Sequence, residues 1–281
     1  MRIFCESLRS KLDLPEKPER IVSLVSSASE TIHAMGLAER VAGVSRYCPR
    51  YAPFPESLVV GDYLKVDEDR LSTLKPDLVL VTSGVQLPLG TSLAGKGYPV
   101  YVLPLPRSLF GILENVRLIG GLLNEMDKAQ QLVKRWEESF HALVNDPPEP
   151  LPRVYVELWF GRHQRTVGGL SFIHDLVEAA GGRPLFGSDR RGYFVPDLRE
   201  VEKTRPEVVL FFDEPEWPMN WQALIKERGW DRWSPPPFVI KSSVMRGQNI
   251  IHDGPSMIET AQWLHGQLLR WAKDKGRPRR R

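Results

Sequence analysis

Aromatic and arginine residues recur in this chain just past short apolar runs. Arg46, Tyr47, Tyr51 and Tyr63 come first, then Trp159, Phe160, Arg162 and Arg165, and later Tyr193 and Trp217. Flat aromatic faces stack on planar ring systems, and guanidinium forks pair with carboxylates and phosphates. A site so lined suits a large, flat, partly anionic ligand, held without covalent change. The other reading is that some of these residues only pack the protein together. His163 stands between Arg162 and Arg165, where an imidazole could ligate iron or cobalt or simply hydrogen bond at the surface. Asp213, Glu214 and Glu216 could hold a divalent metal or supply a base, or form a solvated turn beside Pro215 and Pro218.

Other chemistry is thinly represented. The chain lacks G-x-S-x-G, G-x-x-x-x-G-K-S/T and G-x-G-x-x-G after its first apolar strand, and no H-x-x-x-H or H-x-H pair suggests zinc. His33 and His174 fall inside helical patterns and read as structural, while His252 beside Asp253 is a loop candidate. Cys5 and Cys48 are too few for a disulfide framework or a zinc knuckle. Cys48 reads as a buried thiol, with a ligating thiolate as the alternative. The expectation is therefore a binding protein with no required cofactor, not an enzyme.

The elements that must position these residues follow from periodicity. Ile21 to Val25 reads as a buried strand, and Ser27 stands three residues before Glu30, the spacing of a capping box. Ala28, Ile32 and Met35 recur at helical spacing, and Gly36 can supply a left-handed end. In open α/β sheets ligands sit beyond the carboxyl ends of strands, beside helix N-termini. That places Ser26, Ser27, Arg46 and Tyr47 at the edge of a site. Further strands are expected at Leu78 to Val81, Val100 to Leu103, Arg153 to Trp159, Val208 to Phe212 and Phe238 to Lys241. Helices are expected over Asp67 to Leu74, Gln86 to Lys96, Ser108 to Leu123, Phe172 to Ala180, Asp197 to Thr204, Trp217 to Arg228 and Pro255 to Trp271. The stretch F-G-R-H-Q-R-T-V-G-G after Trp159 reads as a loop, and residues 1 to 19 as a charged lead-in.

Glu125 to Val144 is a strongly charged helical pattern; about twenty residues would span about 30 Å, enough to connect two lobes. Asn145 to Pro152, with four prolines, stops it. The halves on either side echo each other. V-D-E-D-R-L-S-T-L-K-P-D-L-V-L-V and V-P-D-L-R-E-V-E-K-T-R-P-E-V-V-L-F share a helix, a basic residue, a proline, an acid and a strand. A-M-G-L-A-E-R-V-A-G-V-S and A-A-G-G-R-P-L-F-G-S share a helix end, a glycine and a return strand. The expected architecture is two α/β lobes with mainly parallel sheets, joined by one long backbone helix, with a ligand cleft between the lobes. Boundaries fall at 1–124, 125–146 and 147–281.

Composition agrees with such a fold. The chain has 281 residues, 42% hydrophobic and 26% charged, and a net charge of +3 too small to imply nucleic acid. The basic excess at Lys273 to Arg281 reads as a solvated end, with an anionic partner as the other reading. No run is long enough for a signal peptide's core or a membrane span. The sequence as written is thus expected in the cytoplasm, without membrane insertion and as a monomer; a start codon placed too late would make it periplasmic or extracellular.

The opening R-I-V-S-L-x-S-x-x-E, followed by G-L-x-x-R-V-x-G-V-S-x-Y, resembles the solute-binding proteins of cobalamin and ferric-siderophore ABC importers, the helical-backbone (class III) type. L-K-P-D-L-V-L-V and V-G-G-L-S-F-I-H-D-L-V-E-A-A-G-G continue the likeness, which runs from about Arg20 to the last helix. The resemblance implies binding of a corrinoid or a ferric chelate and docking on an ABC permease. It places Tyr47, Tyr63 and the Trp159-Phe160 pair around a corrin, with Tyr193 or Phe194 in the second lobe. It also implies one acidic docking residue per lobe: Asp69 in the first, while the second-lobe match falls at Arg199 with Glu200 adjacent. The alternative function is a metal-dependent enzyme on the same fold, using Asp213, Glu214 and Glu216.

Overall fold

The computed structural model describes residues 1–276, so the arginines of the basic tail beyond Gly276 lie outside the described residues. The chain divides into two compact units. The first comprises Met1–Pro106, Phe110–Trp136 and Asp253–Pro255; the second comprises Arg107–Leu109, Glu137–His252 and the remainder from Ser256.

In the first unit β1 (Arg2–Cys5) and β2 (Ser10–Asp13) form an antiparallel hairpin, with Arg2 opposite Asp13 and Cys5 opposite Ser10. The expected lead-in is thus ordered structure, anchored where the buried Cys5 thiol accepts the Val102 N–H at 3.5 Å. Then come β3 (Ile21–Ser23), α1 (Ser26–Ala34), β4 (Val41–Ser45), β5 (Val59–Gly61), α2 (Glu68–Leu74), β6 (Leu78–Thr82), α3 (Leu87–Gly95), β7 (Val100–Leu103), α4 (Leu109–Leu122), all but its first residue in this unit, and α5 (Met126–Val144), which belongs to the first unit up to Trp136 and to the second from Glu137. The sheet order is β5-β4-β3-β6-β7, every pairing parallel. All residues of β3, β6 and β7 are buried, as continuous apolar strands covered on both faces must be.

In the second unit β8 (Arg153–Phe160), β9 (His163–Val167), α6 (Phe172–Ala179), β10 (Arg183–Pro184), β11 (Tyr193–Phe194), α7 (Leu198–Thr204), β12 (Val208–Asp213), α8 (Trp221–Glu227), β13 (Phe238–Lys241) and α9 (Met257–Gly276) follow. The order is β11-β9-β8-β12-β13, with β10 also on β8. The pairings β8–β12, β12–β13 and β8–β10 are parallel; β8–β9 and β9–β11 are antiparallel. Its core includes Tyr155, Phe186, Phe194, Val209, Phe211 and Trp230.

The echo in the sequence is an echo in structure. Asp67 caps α2 and Asp197 caps α7, each side chain accepting a backbone N–H of the first turn. Lys75 and Arg205 end those helices in left-handed geometry at φ 46° and 49°, each followed by proline and a buried strand. An arginine clamp recurs too. Arg20, just before β3, donates from Nε to the Lys75 carbonyl at 2.8 Å and pairs with Asp77. Arg153, opening β8, donates to the Thr204 carbonyl at 2.8 Å and forks onto Glu207 at 2.8 and 3.0 Å. Gly36 (φ 72°) and Gly181 (φ 88°) likewise end α1 and close the turn after α6 before their return strands.

Three local expectations are corrected. No capping box forms at Ser27: α1 begins one residue earlier, its N-cap position is the extended Val25, and no side chain caps it. The stretch after Trp159 is a hairpin, because Gly161 at φ 57° turns the chain in two residues and sets His163 opposite Phe160. Trp217 lies outside α8, which starts at Trp221 behind an Asn220 cap; Pro218 disfavours helical backbone at the residue before it.

Candidate functional site

In the first unit the carboxyl ends of β3 and β4 carry the candidate residues. Ser26 and Ser27 open α1; Ser26 is half-buried, and Ser27 is buried beside a cavity of about 10 Å³ shared with Thr31, Thr82, Asn115 and Asp253. That is room for about one water and not for a ligand. Arg46, exposed, is tied by its N–H to the Gly61 carbonyl at 2.9 Å. Tyr47 and Tyr63 meet edge to face at 6.1 Å, and the Arg50 guanidinium lies 5.0 Å from the Tyr47 ring centre. Asp62 holds the turn carrying Tyr63: its carboxylate accepts the N–H groups of Leu64 at 2.8 Å and Lys65 at 2.9 Å. These bonds, with Arg46 nearby, keep Asp62 below the usual carboxylate range. Burial pushes the Tyr63 phenol up, and the Asp253 carboxylate adds to it, so the hydroxyl stays protonated as a donor.

Beneath this surface Cys48 is buried, with Sγ 3.1 Å from the Ser29 hydroxyl and 3.2 Å from that of Ser45. Burial pushes its thiol up despite those hydroxyls. The buried-thiol reading of Cys48 fits this setting. Tyr51 is buried as well and belongs to the core.

In the second unit the corresponding end of β8 carries Trp159 and Phe160, both half-buried. The Trp159 indole N–H donates to Glu157 at 2.8 Å, and Phe160 packs 6.3 Å from Phe212. Arg162, in the hairpin turn, lies 5.6 Å from the ring centre of Trp217, which is half exposed. His163 is exposed at one end of β9. Tyr193, also exposed, pairs opposite Val167 at the other end, about 13 Å along the strand. The structure therefore groups Tyr47 with Tyr63, and Arg162 with Trp217, while Tyr193 stands apart from Trp159 within its unit.

Two of the three acids in the cluster are engaged by groups of the protein itself. Asp213, at the end of β12, accepts the Met219 N–H at 2.6 Å and pairs with Lys241 at 3.2 Å; Glu214 accepts the Gly161 N–H at 2.7 Å. Glu216 is exposed. Among the described residues, the group whose three ligand atoms come within 4.8 Å of one another is instead His174, Asp175 and Glu178 on α6. His174 stands 3.1 Å from Asp175 and 3.6 Å from Glu178. His252 is buried. Asp69 and Glu200 are exposed in the first turns of α2 and α7. A hollow of about 900 Å³ in the second unit, with Trp233 and Trp271 in its lining, lies at the amino ends of β8, β12 and β13, away from the candidate residues.

Sequence reasoning missed two of the best-connected residues here. Glu157 is buried in β8, where continuous apolar patterning masks it, and its fork partner Arg228 follows α8 seventy-one residues later. Arg50 follows Pro49 in the sequence, and nothing in that spacing announces its stacking on Tyr47, which is a tertiary fact.

Comparison with known proteins places this geometry in context. A family model described as "Periplasmic binding protein" matches residues 21–235. A protein of Halobacterium salinarum named "Cobalamin-binding protein" is 27% identical over 212 residues, covering 73% of this chain. The chain spans only 57% of that relative's length. A "Vitamin B12-binding protein" of Yersinia pestis is 26% identical over 212 residues, covering 72% of this chain and 73% of the relative. The crystal structure of a possible iron-binding (periplasmic solute-binding) protein of Staphylococcus epidermidis superposes with a TM-score of 0.73 at 21% identity, over 89% of this chain and 98% of the other. At that identity the likeness speaks for the fold alone. The matched family model covers well over half of the sequence, from β3 to the segment before β13, and on that ground the chain belongs to the periplasmic binding protein family.

Proposed function

We propose that this protein is a solute-binding component of the ABC-importer type that holds a corrinoid or a ferric chelate by stacking and ion pairing, without turnover. The observation that carries the reading is the aromatic and arginine surface at the strand carboxyl ends of each unit: Tyr47, Tyr63 and Arg46 in the first, Trp159, Phe160, Arg162 and Trp217 in the second. Ser26, Ser27, His163 and Tyr193 complete the proposed ligand contacts. The names of the haloarchaeal and Yersinia relatives support a corrinoid, and the ferric chelate is the other ligand that the sequence resemblance implies. Asp69 and Glu200, exposed acids at matching helix starts, are the proposed contacts for arginines of a permease. Among the described residues no helix is long and apolar enough to cross a membrane.

The test is an absorbance spectrum of protein purified from its native host, then titration with cyanocobalamin and with a ferric catecholate. A co-purifying visible band, or saturable binding lost in Tyr47→Ala and Trp159→Ala, is the expected result. A colourless protein indifferent to both probes overturns the ligand assignment. Loss of uptake in an Asp69→Arg strain is expected if a permease is docked, and fractionation of those cells locates the protein.

A further inference from the structure

The carboxylate of Glu157 is fully buried in β8, yet it is fully engaged. Its Oε2 accepts Arg228 Nη1 at 2.7 Å, and its Oε1 accepts both Arg228 Nη2 at 3.0 Å and the Trp159 indole N–H at 2.8 Å. Tyr155, Glu157 and Trp159 alternate along the strand and so share one face of it. Arg228, at the end of α8, is held in turn: its guanidinium lies 4.9 Å from the ring centre of the buried Trp230, which packs on Tyr155 at 5.9 Å. A forked, charge-assisted pair adds geometric specificity as well as energy to a side-chain contact. Here it ends on the one polar atom of a half-buried tryptophan at a strand end.

We infer that the buried Glu157–Arg228 pair is a positioning device that fixes the Trp159 ring and spends its indole N–H inside the protein, so that a ligand meets Trp159 only through ring stacking. This inference rests on the binding reading above for its ligand, and on this structure alone for its geometry. Two consequences follow from the chemistry. The ring loses little rotational freedom when a flat ligand settles on it, because the protein has already ordered it. Ligand carboxylates gain nothing from Trp159 and must find a guanidinium, such as that of Arg162 in the adjoining hairpin turn, instead. Glu157 and Arg228 are thus positioning residues that need not touch ligand themselves.

The experiment uses full-length protein labelled with ¹⁵N-tryptophan, the Trp159 indole resonance being assigned by its loss in Trp159→Phe. In the native protein that N–H is expected at low field and slow to exchange with solvent. Removing both charges in Glu157→Met/Arg228→Met keeps the buried volume apolar, a replacement that folded proteins often tolerate. The Trp159 signal should then move upfield and exchange faster, while cyanocobalamin or ferric-catecholate affinity falls by about tenfold, the scale of one ordering interaction. Arg228→Lys, which keeps charge but not the fork, should show the same spectral change in smaller degree and serves if the double variant does not fold. An unshifted, protected Trp159 signal in a folded variant overturns the inference, as does a shifted signal with unchanged affinity. If native protein binds neither probe, the ligand reading fails, and the indole signal still decides whether the pair anchors Trp159.

Discussion

Gly36 and Gly181 occupy matching places in the two halves, and replacing each by alanine separates backbone strain from crowding. Both are left-handed, at φ 72° and 88°. A Cβ in that region costs about 1–2 kcal/mol, while the stiffer unfolded chain returns about 0.4–1 kcal/mol. Both positions should therefore lose about 1 kcal/mol from the backbone alone. Their surroundings differ. A Cβ on Gly36 would meet nothing within 4 Å, whereas one on Gly181 would stand 2.2 Å from Cδ of Pro148 and 3.0 Å from its Cγ. The proline ring sits in the rigid stretch after α5 and cannot rotate away as a flexible side chain would. Overpacking of this kind adds about 1–3 kcal/mol, so Gly181→Ala should cost about 2–4 kcal/mol against about 1 for Gly36→Ala. Urea unfolding followed by circular dichroism measures both. Tryptophan fluorescence singles out the second unit, because the first contains only Trp136. Equal losses at the two sites would refute the claim that Pro148 decides the difference.

Other outcomes follow from the same geometry. His174 is raised above the ordinary histidine value by its hydrogen bond to Asp175 with help from Glu178, burial opposing. Its contribution to stability is therefore complete below the unfolded value of about 6.5. That contribution disappears as pH rises through the raised folded value, so unfolding midpoints should fall across that window in the native protein and stay flatter in His174→Gln. Cys5 and Cys48 are both fully buried, and burial pushes the Cys48 thiol up. Neither should react with a thiol reagent at neutral pH in the folded protein, and both should react in urea, as mass spectrometry would show. Arg153→Ala should cost about 1 kcal/mol, its charged hydrogen bonds being partly screened at a half-exposed site. Arg153→Lys should recover little of it, because an ammonium cannot reproduce the fork onto Glu207 and two carbonyls.

The sequence by itself determined the elements whose causes are local. Apolar runs such as Leu78 to Val81 and Val208 to Phe212 form buried strands, and the shared order of helix, basic residue, proline, acid and strand in the two halves is matched by α2 and α7, each with an Asp cap. The strand-end pattern names Tyr47, Tyr51, Tyr63, Trp159 and Arg162 alike as site candidates, yet Tyr51 lies in the core. What failed locally failed for local reasons. Ser27 has the right spacing for a cap but not the right backbone, since the helix begins at Ser26, and the Gly161 turn was hidden in a polar stretch that resembles a loop. Only the tertiary structure decided which side chains meet. Glu157 is masked within an apolar strand, and only the fold brings Arg228, seventy-one positions away, to neutralise it and Trp159 to complete its hydrogen bonds. Asp213 and Glu214 are open in the sequence to a metal site, a base or a solvated turn; in the structure their carboxylates hold Met219, Lys241 and Gly161. The physical reason is the same in both cases. Periodicity and turn chemistry act over a few residues, whereas the partner of a charge is chosen by the fold, through distances that no spacing along the chain records.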